Sequence, residues 1–187
     1  MKHNNQKKSK HYILWIAVFI IYLYLLTKLI LFKGSPVDFG IVKVRLMAFL
    51  QQPDLIHTRT VNLIPFQEIS RDWNSLSLHR PGTAIHLVGN ILAFIPLGIF
   101  IPLLTGNKLF SPGVKVFLLA LLLSLGYEVT QLLTGMGIFD VDDLMLNTLG
   151  GFIGYIVFTM ALGLKKVLVG GESRMTTKKL NSKESHV

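Results

Sequence analysis

Four stretches of the chain are almost unbroken apolar sequence, and what lies between them is polar. Tyr12 to Phe32, Ala84 to Leu104, Val116 to Leu133 and Leu144 to Leu164 each come close to the about 20 residues that cross a hydrocarbon core about 30 Å thick. A single segment in lipid satisfies its own backbone only as a helix, so each is predicted to be a transmembrane helix, and the fold class is all-α integral membrane protein. The connections Thr105 to Lys115 and Thr134 to Asp143 are short, so the second, third and fourth helices are expected to pack as antiparallel neighbours. The first helix is set apart by a long connection, Lys33 to Thr83. Within it Phe39, Val42, Leu46, Phe49 and Leu50 recur at helical spacing, with Lys43 and Arg45 off that stripe. This suits either a helix lying in the membrane interface or one packed over the bundle. Asn62-Leu63-Ile64-Pro65-Phe66 reads as extended and proline-restricted, able to dip between helices. The last segment, 165–187, is basic, and from Gly170 onward its polar composition predicts disorder.

Composition agrees with a membrane protein. Of 187 residues 51% are hydrophobic and 16% charged, against about a quarter charged in soluble domains. The absence of cysteine excludes disulfides, thiolate catalysis and cysteine-ligated metals. A net charge of +9 raises the question of nucleic acid, but the placement of the charge gives a different answer. Lys2, Lys7, Lys8 and Lys10 in the tail 1–11, Lys108 and Lys115 between the second and third spans, and Lys165, Lys166, Arg174, Lys178, Lys179 and Lys183 after the fourth all fall on one side, opposed only by Glu172 and Glu184. By the positive-inside rule both termini are cytoplasmic and the long loop is outside. The excess is thus a topology signal, and no nucleic-acid partner is expected. The first apolar run is too long for a signal peptide and has no small-residue cleavage site after Phe32, so it reads as an uncleaved anchor.

Polar side chains inside the spans carry the candidate chemistry, because each is costly in lipid without a partner. His86 and Asn90 lie one turn apart on the second helix; Ser124, Glu128 and Gln131 share a face of the third; Asp143, Asn147, Gly150 and Gly154 share a face of the fourth. At about 1.5 Å of rise per residue, Asn90 falls about 9 Å, Glu128 about 8 Å and Asn147 roughly 5 Å below the outer helix ends. Three helices are therefore expected to bring these groups into one outward-open recess, with Glu128, Asn90 and Asn147 together. A carboxyl as deep as Glu128 must be protonated or paired with a donor such as His86, Asn90, Asn147 or a basic loop residue; it is either a structural clasp or a ligand or proton site. In Asp140-Val141-Asp142-Asp143 at least one acid is expected to cap the last helix, and three exceed what capping needs. The carboxylate set is too narrow to point to a metal site and no His-x-x-x-His pattern occurs, so no metal or other cofactor is expected. The spacing of Gly150 and Gly154 permits close helix approach. Pro96 and Pro102 should kink the second helix.

These residues fall in motifs that resemble a known family. Asn62-Leu63-Ile64-Pro65-Phe66, the run Gly89 to Gly98, Glu128-Val129-Thr130-Gln131, Phe139 to Asp143 and Asn147 to Gly151, in this order and spacing, are similar to the VanZ-like family, from the end of the first helix at Leu31-Phe32-Lys33 to about Gly163. The resemblance implies a multi-spanning protein of the bacterial cytoplasmic membrane. It also implies an association with resistance to teicoplanin-type glycopeptides. Many members carry an Arg shortly before the Phe-Asp element, where this chain has Gly135-Met136-Gly137-Ile138; if that Arg pairs with the buried Glu in those members, Glu128 here must find another partner or remain protonated. Three readings follow. A binding or protective protein would use His86, Asn90, Glu128, Gln131, Asp140, Asp142, Asp143 and Asn147 to engage membrane lipid, a lipid-tailed glycopeptide or a cell-wall precursor. An intramembrane enzyme on lipid-linked cell-wall material would use Glu128 or Asp143 as general base. A proton-linked carrier would titrate Glu128, and its small size would call for an oligomer.

Overall fold

The computed structural model describes residues 2–74, 81–105 and 111–184; Lys108, which contributes to the charge asymmetry, lies outside them. In chain order the elements are α1 (Lys2–Ile30), α2 (Phe39–Gln51), a 3₁₀ turn (Pro53–Thr58), β1 (Val61–Asn62), α3 (Gln67–Asn74), α4 (Pro81–Leu104), α5 (Pro112–Thr134), β2 (Phe139–Asp140) and α6 (Val141–Glu184). Four helices are long and apolar enough to cross a membrane, over Tyr12–Ile30, His86–Leu104, Pro112–Thr134 and Val141–Lys166. The chain is a multi-pass membrane protein. Helix α5 begins earlier than the apolar run alone indicates because Pro112 suits a first helical turn and the Ser111 hydroxyl accepts the Val114 N–H. It stops at Gly135, whose φ of 63° is the left-handed conformation that ends helices. Helix α4 passes through Pro96 and Pro102 as one element. Helix α6 continues to Glu184, where the polar composition beyond Gly170 predicts disorder. Once a helix is nucleated by packed residues upstream, Leu, Met, Lys and Glu extend it at little cost.

The tightest pair is α4 with α6, and α5 packs beside them, mainly on α6. Glycine explains the pairing. The backbone of α6 at Gly150 and Gly154 lies directly against the Ile91 and Ile95 carbonyls of α4, and Gly98 of α4 lies against Gly151 and Tyr155. Phe94, Leu97, Ile101, Val116 and Ala120 fill the core beside this seam. Helix α1 sits at the edge, tethered by the Tyr22 hydroxyl donating to the Ala93 carbonyl (2.8 Å), by Thr27 with Tyr127 (2.9 Å) and by Gln131 donating to the Ile30 carbonyl (3.0 Å).

The long connection is structured over residues 39–74. None of the residues of α2 is buried, and only Lys43, Arg45 and Gln51 among its 13 are polar. Arg45, expected off the packing stripe, lies on the bundle side instead, donating to the Thr134 and Gly135 carbonyls at the end of α5. Those carbonyls lack partners within their own helix and carry the negative end of its dipole, which draws a guanidinium. Beyond α2, β1 pairs in parallel with β2, Val61 opposite Phe139 and Asn62 opposite Asp140, a two-stranded ladder added to the otherwise helical fold. It fastens the loop to the corner between α5 and α6.

Candidate functional site

The hairpin between α5 and α6 fixes which polar groups meet. Helices joined by so short a turn are held in register, so α5 residues face α6 residues at matching depth. Glu128 Oε2 accepts the Asp140 N–H at 2.8 Å, and Asn147 donates to Ser124 Oγ at 2.8 Å. Glu128 and Asn147 are each 1% exposed, and Glu128 Oε1 and Asn147 Oδ1 have no hydrogen-bond partner among the described residues. The expected cationic or side-chain donor for Glu128 is thus a backbone amide. Near the position where the resemblance implies an Arg stand two loop arginines: the Arg59 guanidinium packs on Gly135, and Arg45 donates to the Gly135 carbonyl.

The three aspartates at the start of α6 turn three ways. Asp140 Oδ1 accepts the Asp142 N–H at 2.8 Å, which makes Asp140 the expected cap of α6, and it also accepts the Asn62 amide at 3.0 Å. Burial raises the Asp140 carboxyl above the ordinary carboxylate range, and these two hydrogen bonds only partly offset it. Asp142 is fully buried and accepts three backbone N–H groups from the loop: Phe66 at 2.6 Å, Glu68 at 2.8 Å and Ile69 at 3.1 Å. It caps α3, a helix far away in sequence. Phe66 takes a left-handed φ of 66°, costly for a bulky residue, and the short hydrogen bond to Asp142 holds it there.

Asp143 turns toward α4. Its Oδ1 accepts the Asn90 amide at 2.6 Å and lies 3.3 Å from His86 Nε2. On the other side of the ring, His86 Nδ1 is 3.0 Å from Asp72 Oδ2. The imidazole is thus flanked by carboxylates at both nitrogens, and both can accept an N–H only when both nitrogens carry protons. Asp72 is buried on α3 and also faces Arg71 at 3.8 Å, while Arg71 pairs with Glu68.

These groups line a cleft of about 510 Å³ at the loop end of the bundle. Leu29, Ile30 and Lys33 from the end of α1 form one wall, Glu68, Arg71 and Asp72 of α3 the roof, and His86, Gly89, Asn90, Gln131, Ile138, Asp140 and Asp143 the rest. Of the residues expected in one recess, His86, Asn90, Gln131, Asp140 and Asp143 line it. Glu128, Asp142 and Asn147 do not, which corrects the expectation that Glu128, Asn90 and Asn147 share an environment: the register of the hairpin pairs the deeper groups with each other first. Glu128 accordingly does not line the cleft and is 1% exposed. Sequence reasoning missed Asp72, Glu68, Arg71 and Lys33. The available signal was the dense charge of Glu68, Arg71 and Asp72 in an otherwise apolar loop. Among the described residues no three His, Asp or Glu side chains are grouped to hold a metal ion.

The motifs thus form one physical unit, in which Asn62, Phe66, Asn90, Glu128, Asp140, Asp142 and Asp143 are joined by hydrogen bonds across β1, α4, α5, β2 and α6. Comparison with known proteins bears on the same region. The chain is 29% identical over 105 residues to Protein VanZ of Enterococcus faecium, an overlap that covers 56% of this chain and 56% of that protein. The chain therefore spans just over half the length of this relative. No solved structure matches this chain. The profile of the VanZ/LLP1 family matches residues 19–162, from within the first span to within the fourth and across the whole polar network, and the chain belongs to that family.

Proposed function

We propose that this protein sits in the bacterial cytoplasmic membrane with both termini inside, and that its outward-facing cleft engages an envelope lipid or a lipid-tailed glycopeptide, lowering the access of teicoplanin-type drugs. The cleft carries the reading: a space bounded by the polar groups of His86, Asn90, Asp72 and Asp143 and by Leu29, Ile30 and Ile138 opens at the loop end of the bundle. Polar groups at such a position are functional by default, since each is costly near lipid. The lysines of both tails and of the connection before α5 support the orientation. The name of the enterococcal relative supports the link to glycopeptides.

One observation favours a second reading, an intramembrane enzyme acting on lipid-linked cell-wall material. His86 with Asp72 on Nδ1 has the orientation of an acid-base histidine, and Asp143 stands beside it. A single experiment separates the two. The wild-type protein is produced in a susceptible Gram-positive host, teicoplanin susceptibility is measured, and envelope lipids are compared by mass spectrometry. Reduced susceptibility with an unchanged lipid profile is expected. A lipid species that appears or vanishes with the protein replaces binding by catalysis, and unaltered susceptibility overturns the resistance role.

A further inference from the structure

We propose that the β1–α3 turn, Leu63-Ile64-Pro65-Phe66, is a membrane-inserted wedge that seats in the bilayer leaflet on the loop side of the bundle, with Trp73 and α2 beside it. The turn presents its side chains outward: Leu63 is 62% exposed, Ile64 63% and Phe66 58%, and Trp73 on α3 is 69% exposed. No charged residue occurs between Arg59 and Glu68. The backbone beneath these side chains is fixed. Asp142 holds the Phe66, Glu68 and Ile69 amides, Asn62 is paired to Asp140, and Phe66 is kept at a positive φ that an unrestrained chain would leave. A strained, tightly clamped turn whose outer side is wholly apolar has a surface to meet.

Continuity identifies that surface as lipid. Asp142, which grips the turn, belongs to the first turn of the α6 span, so the wedge sits level with the point where that span leaves the hydrocarbon. The exposed faces of the spans themselves, Leu92 and Val88 on α4 and Met145 and Leu149 on α6, are lipid-facing by the same composition. Helix α2 extends this belt sideways with Phe39, Val44, Met47 and Leu50 exposed, and its Lys43 can reach back to the headgroups. Trp73 fits the aromatic layer at the boundary between lipid and water. The wedge leads directly into α3, whose Glu68, Arg71 and Asp72 line the cleft. The wedge itself stands whether or not the cleft takes a ligand.

Because the chain has no cysteine, single-cysteine variants of the 187-residue chain report each position directly. Ile64→Cys and Leu63→Cys, labelled with bimane and reconstituted in phosphatidylcholine and phosphatidylglycerol vesicles, are compared with Asp54→Cys on the exposed 3₁₀ turn and Leu92→Cys on the lipid face of α4. Strong quenching by lipids carrying a doxyl group near the headgroup, with protection from aqueous iodide, is expected at 64 and 63. Leu92 should respond most to doxyl groups near the chain ends, and Asp54 to iodide. Iodide quenching at 64 and 63 equal to that at 54 overturns the proposal. So does protection from both quenchers together with disulfide formation between copies, which would make the wedge a protein interface. Either result leaves the resistance experiment untouched.

Discussion

Gly154→Ala is expected to lower the unfolding temperature of the detergent-solubilised protein by roughly 4–8 °C, a net loss of about 2 kcal/mol or more. The sign is the informative part. In an exposed helix, alanine in place of glycine stabilises by about 1 kcal/mol. At Gly154 the added methyl meets the Ile95 carbonyl and Gly98, and at Gly150 it meets the Ile91 carbonyl. These are backbone atoms that no rotamer change can move, so α4 and α6 must separate. At Gly126 and Gly163 no neighbouring atom lies within 4 Å of where a methyl would stand, so Gly126→Ala and Gly163→Ala should be neutral or stabilising. Thermal unfolding of the four variants by loss of monodisperse protein distinguishes a close-packed seam from glycines that are merely tolerated. Equal behaviour at all four positions would mean that α4 and α6 do not approach as described.

Replacing Asp142 with alanine strips the acceptor from three loop amides at once, and the expected cost is about 3 kcal/mol or more, since each buried donor left unpaired costs about 1–3 kcal/mol. Asp142→Asn should be nearly as damaging, because one of its two heavy atoms becomes a donor facing donors. The loss should be local before it is global. Without the clamp Phe66 leaves its left-handed conformation, α3 loses its cap, and Asp72 is withdrawn from His86. Hydrogen exchange read by mass spectrometry should rise across 61–74 while the α4 and α6 peptides around Phe94 and Gly151 stay protected. Unchanged exchange in 61–74 would show that Asp142 does not hold the loop.

The spans were legible in the sequence because apolar length is a one-dimensional signal, and so was the Gly150 and Gly154 seam, because spacing on a helix fixes a face. The candidate site was legible only in part. His86 and Asn90, one turn apart on α4, meet Asp143 of α6 in the cleft. Depth gives no rotation about the helix, and for Asn147 and Glu128 it was rotation and hairpin register that decided: each found a partner across the α5–α6 contact and withdrew from the cleft. The three aspartates of Asp140 to Asp143 are chemically alike in sequence, and only their tertiary partners separate a cap for α6, a clamp for the loop and a cleft acid. Asp72 was invisible for a related reason. Its value comes from α3 folding back over α4, which depends on Asp142 and on no local pattern in the loop.

If the cleft, and not the buried Glu128, is the working surface, the two sites must respond differently to the loss of a carboxylate. The most direct measurement is teicoplanin susceptibility of cells producing the wild-type protein, Asp143→Asn or Glu128→Gln at matched membrane levels. Asp143→Asn keeps the shape of the cleft and removes the charge beside His86, so protection should fall to the level of cells without the protein. Glu128→Gln retains an oxygen to accept the Asp140 N–H and should protect like the wild type. Full protection by Asp143→Asn would contradict the cleft as the working surface.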